Sequence, residues 1–190
     1  MIITKADNPA LILVDIQKGF DNIAYWGEQR NNVTAEQNAA DLLNLWRENN
    51  LPVFHIKHCS SIPASPLHET NTGNEFKEIV KPAENETIIR KNVNSAFIGT
   101  PLKEKLDHAK ISTLVIVGLT TDHCISTTTR MAGNLGFNTL LVSDATATFN
   151  KIGPDGKNYP AGLIHETALA SLYKEFAEIV TTDFIKQQFK

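Results

Sequence analysis

Short, largely apolar runs separated by stretches of helical period constrain this chain more than any other feature. The runs are Ala10–Val14, Pro52–Ile56, Thr87–Ile89, Thr113–Val117, Thr139–Val142 and Glu178–Val180. Within Leu114-Val115-Ile116-Val117 no polar residue alternates with the apolar ones. A strand of that kind is covered on both faces, which is the situation of a parallel sheet with helices packed on each side. The order strand, helix, strand, helix therefore predicts a doubly wound α/β domain with three layers, α/β/α. With 190 residues, 42% of them hydrophobic, and no linker or internal repeat, residues 1–190 read as a single domain with one full core.

The helical stretches carry their own punctuation. Thr34 and Gln37 stand at capping-box spacing, Ala35, Ala39, Leu42 and Trp46 then share a face, and Asn49-Asn50 ends the helix. Pro101 fits the first position of a second helix with Leu102 and Leu106 turned inward. A third helix follows Thr113–Val117 and stops near Gly136, which suits a left-handed cap. A fourth is expected from Ala161 to Phe176, where His165, Leu169, Leu172 and Phe176 form a stripe and His165 reads as a partly buried structural histidine. Two stretches lack periodicity, Cys59 to Glu86 and Asn150 to Pro160. Such loops serve as lids, interface arms or disordered segments.

Charge and cysteine content remove several function classes. With 18 basic against 21 acidic residues and a formal charge of -3, there is no basic block to neutralise nucleic acid or an anionic lipid surface. The longest purely apolar run is Ala10–Val14, far too short for a bilayer, and no basic segment with a following hydrophobic stretch opens the chain. The expectation is a soluble, cytoplasmic protein whose partner is a small-molecule substrate. Two cysteines, Cys59 and Cys124, cannot build a disulfide framework, which leaves room for a chemical role. No C-x-x-C pair supports disulfide exchange, and no glycine-rich phosphate loop is present for a nucleotide or flavin module. No cofactor is called for.

In open parallel sheets, ligands bind beyond the carboxyl ends of the strands. Asp15 follows the first run, Lys91 closes the third, and Cys124 follows the fourth, so an acid, a base and a thiol can converge on one crevice. Cys124 is expected in the first turn of a helix, where unpaired N–H groups lower a thiol pKa below its free value of about 8.5. Lys91 would favour the thiolate further, and Asp15 could take the thiol proton and return it to a leaving amine. Taken singly, each residue has a structural reading as well: a buried Cys is a small hydrophobe, and an Asp after a strand caps the next turn.

The wording around these residues is distinctive. Asp15-Ile16-Gln17-Lys18-Gly19-Phe20, Lys91-Asn92-Val93-Asn94-Ser95-Ala96-Phe97 and Val117-Gly118-Leu119-Thr120-Thr121-Asp122-His123-Cys124-Ile125 resemble the three signature segments of the isochorismatase-like cysteine hydrolases. That superfamily includes isochorismatases, nicotinamidases, N-carbamoyl amidases and ureidoacrylate amidases. The resemblance extends to Val142-Ser143-Asp144-Ala145-Thr146 and Val180-Thr181-Thr182. It implies a six-stranded parallel sheet in the order 3-2-1-4-5-6, with Asp15 as acid/base, Lys91 as the cation and Cys124 as the nucleophile. It also implies a cis peptide between Leu119 and Thr120, an oxyanion hole from the N–H groups of Thr120 and Cys124, and a homo-oligomer, dimer or tetramer.

The full Cys124 motif favours an amidase that cleaves a C–N bond through a thioester. The alternatives are a vinyl-ether hydrolase of the isochorismatase type, which needs the Asp but not the thiol, and a non-catalytic nucleotide- or flavin-binding module. Nicotinamidases resemble one another in an Asp-x-His pair and a further His that bind a metal. Here the strand reads Phe54-His55-Ile56-Lys57-His58-Cys59, and that Asp is missing. His55, His58 and His68 form a loose alternative ligand set, so no metal is assigned. Asn94 stands where many relatives carry an aromatic residue. Gln17, Phe20, Trp26, His58, Phe97 and Phe149 are the substrate-facing candidates.

Overall fold

The computed structural model describes residues 3–190. In chain order its elements are β1 (Ala10–Val14), α1 (Ile23–Trp26), α2 (Ala35–Glu48), β2 (Val53–His58), β3 (Thr87–Lys91), α3 (Leu102–His108), β4 (Thr113–Leu119) and α4 (Ser126–Asn134). There follow β5 (Asn138–Ala147), β6 (Lys151–Ile152), β7 (Asn158–Tyr159), α5 (Ala161–Leu172), β8 (Glu178–Val180) and α6 (Thr182–Gln188). Six strands form one parallel sheet in the order β3-β2-β1-β4-β5-β8. Counted within the sheet this is 3-2-1-4-5-6, because β6 and β7 pair with each other as a separate antiparallel hairpin.

Alternation explains why the apolar runs are unbroken. Leu11 and Leu13 of β1, with Val115 and Val117 of β4, turn to the face covered by α2 and α6. Ile12 and Val14, with Ile116, turn to the face covered by α3, α4 and α5. Each face takes every second residue, so both must be apolar. Full burial of one such Leu or Ile contributes about 1.5–3 kcal/mol. Trp46 of α2 is wholly buried, and its indole N–H donates to the Pro9 carbonyl at 2.9 Å.

Several local expectations are corrected. Thr34 precedes α2 but its side chain makes no cap, its backbone lying at φ -97, ψ 5, and the Gln37 amide bonds Asp41 instead. Pro101 is the residue before α3 rather than its first helical position. α5 ends at Leu172, four residues short of Phe176, because Tyr173 turns extended and Lys174 adopts a left-handed φ of 66°. Gly136 does end the third helical stretch with a left-handed φ of 86°.

Two features set the strand ends. Gly118 in β4 has φ 126°, and a Cβ there would stand 2.0 Å from the Val14 carbonyl oxygen, so only glycine lets β4 close on β1 at this level. In β5 the pairing with β4 jumps from Ile116–Leu141 to Gly118–Thr146, so Val142 to Ala145 bulge out of register. Asn32 holds the bulge by donating to the Ser143 and Thr146 carbonyls at 3.0 and 2.8 Å, and Asn38 donates to the Asp144 carbonyl. The Asp144 carboxylate then accepts from the backbone N–H and hydroxyl of Thr182, fixing the start of α6.

Candidate active site

Asp15 is the first residue beyond β1. Its N–H donates to the Ile56 carbonyl of β2 at 3.0 Å, and its φ of 54° swings the carboxyl group out of the strand direction. A left-handed non-glycine residue is uncommon, and Asp is one of the side chains that tolerate it. Lys91 ends β3, where it sits opposite His58 at the end of β2 in the strand register. Cys124 lies after β4, past the cis Leu119–Thr120 peptide, in a π-helical turn over Thr121–Ile125 that runs into α4. It stands just before α4, not in that helix's first turn.

The side chains of these three residues meet. The Lys91 ammonium donates to Asp15 Oδ2 at 2.6 Å and to Cys124 Sγ at 3.2 Å, and it lies 2.9 Å from His58 Nδ1. Cys124 Sγ is 4.0 Å from His58 Nδ1 and 3.8 Å from Asn94 Oδ1. The side chains of Asp15 and Lys91 have no exposed surface. Asp15 Oδ1 is sealed from solvent and has no hydrogen-bond partner among the described residues.

Burial decides the resting charges. Burial works against the Lys91 ammonium, but the adjoining Asp15 carboxylate and Cys124 sulfur more than offset it and raise the lysine pKa. The Cys124 thiol is pushed far up, first by burial and then by the Asp15 carboxylate, with Lys91 opposing. The expectation of a depressed thiol pKa is therefore corrected. Within this cavity an Asp15–Lys91 ion pair is the resting state, and sulfur keeps its proton. Burial, aided by Lys91, also lowers the His58 pKa, so the imidazole is neutral near pH 7.

Among the described residues, Asp15, His58 and Cys124 are the set of His, Cys, Asp and Glu side chains whose ligand atoms come together, all within 4.8 Å of one another. Lys91 Nζ is already within 3.2 Å of all three, so an ammonium supplies the positive charge that a cation would bring. The His55, His58 and His68 set does not converge. His55 faces Glu86 at 2.8 Å and the edge of Phe76, and His68 bonds the Thr70 hydroxyl at the surface.

The remaining candidates fall into two groups. Gln17 is fully buried, and its amide is spent on backbone: it accepts from His58 N at 2.9 Å and donates to the His58 and Asn74 carbonyls. It braces the end of β2 against the 59–86 loop and has no polar atom left for a substrate. Phe20, Trp26 and Phe149 pack with Leu67 and Leu119 into one wedge, with Phe20 stacked 4.6 Å from Trp26 and Phe149 wholly buried. Phe97 packs at 5.9 Å on Phe137.

Asn74 is the residue that sequence reasoning missed. Its side chain is buried in the loop and donates to the His58 and Leu67 carbonyls at 2.8 and 2.7 Å. A lone Asn in an aperiodic stretch carries no signal of this. Around it the loop is tightly laid down: residues Lys18 and Lys77 bond the backbone of Glu75 and Ile16, and Gly73 packs directly on Gly19. On the far side of the nucleophile turn, the Thr121 hydroxyl is 2.9 Å from His165 Nδ1, and the Thr148 hydroxyl donates to Asp122. His165 thus holds the turn, as its structural reading anticipates.

Comparison with known proteins places this geometry in context. The isochorismatase domain model matches residues 9–184. The isochorismatase family protein YrdC of Bacillus subtilis is 53% identical over 96% of this chain and 97% of its own length. The crystal structure of an isochorismatase-family protein from Chromobacterium violaceum superposes with a TM-score of 0.93 at 38% identity, covering 99% of this chain and 97% of the other. More distant relatives include nicotinamidase 3 of Arabidopsis thaliana, 27% identical over 94% of this chain and 87% of its own length, and maleamate amidohydrolase of Pseudomonas putida, 26% identical over 96% and 87%.

Proposed function

The chain belongs to the isochorismatase family and is a hydrolase of that family, and we propose that it is a cysteine amidase opening an amide-like C–N bond of a small molecule. The observation that carries this reading is the Lys91 ammonium held 2.6 Å from Asp15 and 3.2 Å from Cys124 in a cavity where neither charged side chain touches solvent. Amidases among the relatives support the choice of bond.

The resting thiol is neutral, so attack and deprotonation are coupled. Asp15 Oδ1, the oxygen that Lys91 leaves free, accepts the Cys124 proton as sulfur bonds to the substrate carbonyl carbon. The carbonyl oxygen becomes an oxyanion, for which the N–H groups of Thr120 and Cys124 are the proposed donors; one such donor contributes about a hundredfold or more. Collapse breaks the C–N bond, and Asp15 hands its proton to the leaving nitrogen. Asp15 then deprotonates a water that attacks the thioester, releasing the acid and restoring the thiol. Lys91 keeps the carboxylate in place and balances the negative charge that moves between oxygen and sulfur.

A panel of small amides, ureas and lactams, assayed for released ammonia or amine, tests this. Cys124→Ala should lose more than about a thousandfold in turnover, and mass spectrometry should find an acyl adduct on Cys124 with a slow substrate. Full amide turnover by Cys124→Ala would refute the thioester, and cleavage of an added vinyl ether by Cys124→Ala but not by Asp15→Asn would instead identify protonation of an ether as the chemistry.

A further inference from the structure

His58 occupies an unusual position in this cluster. Its Nδ1 is 2.9 Å from an ammonium whose other two short contacts are a carboxylate and a sulfur. An ammonium has hydrogens and no lone pair, so Nδ1 must accept. A neutral imidazole that accepts at Nδ1 carries its hydrogen on Nε2. That Nε2–H makes no hydrogen bond among the described residues, and unlike Asp15 Oδ1 it is not sealed from solvent. The ring keeps 15% of its side-chain surface exposed while its Nδ1 edge stays 4.0 Å from Cys124 Sγ. Its backbone is fixed on both sides, by Gln17 and by Asn74. A rigid ring with a fixed tautomer thus places one unspent donor in the crevice beside the nucleophile.

We propose that His58 is a substrate-contacting residue whose Nε2–H, held in that tautomer by Lys91, binds an acceptor oxygen carried close to the reacting carbon. The preferred substrate is then an amide with a carbonyl or ether oxygen next to the scissile group, and a plain alkyl amide is a poorer one. The inference rests on Cys124 as the reacting sulfur, and its test does not depend on finding an amide that turns over.

Alkylation of Cys124 provides that test. Iodoacetamide carries a carbonyl group bonded directly to the carbon that sulfur attacks, and iodoethane carries none. The rate ratio of the two reagents, followed by mass spectrometry at Cys124, should fall about tenfold in His58→Phe, as loss of one hydrogen bond predicts. His58→Gln, which keeps a donor, should recover much of the ratio. Equal slowing with both reagents would mean that His58 acts only through Lys91, and an unchanged ratio would mean that it touches nothing; either overturns the proposal. Long-range proton–nitrogen NMR reads the tautomer directly, and a hydrogen on Nδ1 would also end it. The expected fall with His58→Phe and recovery with His58→Gln, in a protein that cleaves no amide, would support the proposal and sink the amidase reading alone.

Discussion

Lys91 has three N–H bonds and three close acceptors in Asp15, His58 and Cys124, and this arithmetic sets the charges around it. Removing the ammonium with Lys91→Met strands the Asp15 carboxylate without its partner at a fully buried position. The cost should be about 3–5 kcal/mol in urea unfolding, partly recovered when Asp15→Asn is added. The thiol gives a second prediction. Because its folded pKa is raised, the difference in thiolate ultraviolet absorbance between the wild type and Cys124→Ser should show no step at the usual pH of about 8.5 and should rise only at more alkaline pH. A step below about pH 8 would refute the account of the resting state. The places of Asp15, Lys91 and Cys124 were legible in the sequence because strand ends are written where apolar runs stop. The protonation state of Cys124 was not, since spacing reports neighbours along the chain and burial depends on everything packed around the sulfur.

At the scale of elements, the 59–86 loop behaves as a laid-down flap rather than a loose connection. Asn74→Ala removes two buried hydrogen bonds at a cost of about 1–2 kcal/mol, although the His58 and Leu67 carbonyls keep donors in the Gln17 amide and the Ser60 N–H. Hydrogen exchange should then quicken from Cys59 to Glu86 while β1 and β4 stay protected. A pH effect belongs here too. Glu36 of α2 accepts from Arg30 and from Lys77 of the flap, and despite burial these two cations hold its pKa down to about 2. A depressed carboxylate contributes stability that is complete above its unfolded pKa of about 4.5 and fades as pH falls towards 2. Wild type should therefore lose about 2–3 kcal/mol more than Glu36→Gln between about pH 6 and pH 2, measured by urea unfolding. Long periodic elements such as α2 could be read from sequence. The hairpin of β6 and β7 could not, because two-residue strands carry no period, and α6, though Thr181 caps it by accepting from the Phe184 N–H, spans only two turns, too few to show a period.

For the whole molecule, the sheet order follows from apolar runs and resemblance together, whereas the register inside it depends on single residues. Gly118→Ala would put a Cβ 2.0 Å from the Val14 carbonyl oxygen and force β1 and β4 apart at the level of the active site. We expect at least about 3 kcal/mol of destabilisation or no soluble protein, where an ordinary surface glycine in a strand would cost little. No helix among the described residues is long and apolar enough to cross a membrane. Assembly into a dimer or tetramer stands as a proposal that sedimentation equilibrium can decide.

The bulge from Val142 to Ala145 makes the chain length there a ruler. Shortening it by one residue would reverse the facing of Thr146 and Ala147, since strand residues alternate sides, and pull Thr148 and Phe149 behind them. Thr148 would then leave Asp122, and Phe149 would leave the aromatic wedge it shares with Phe20.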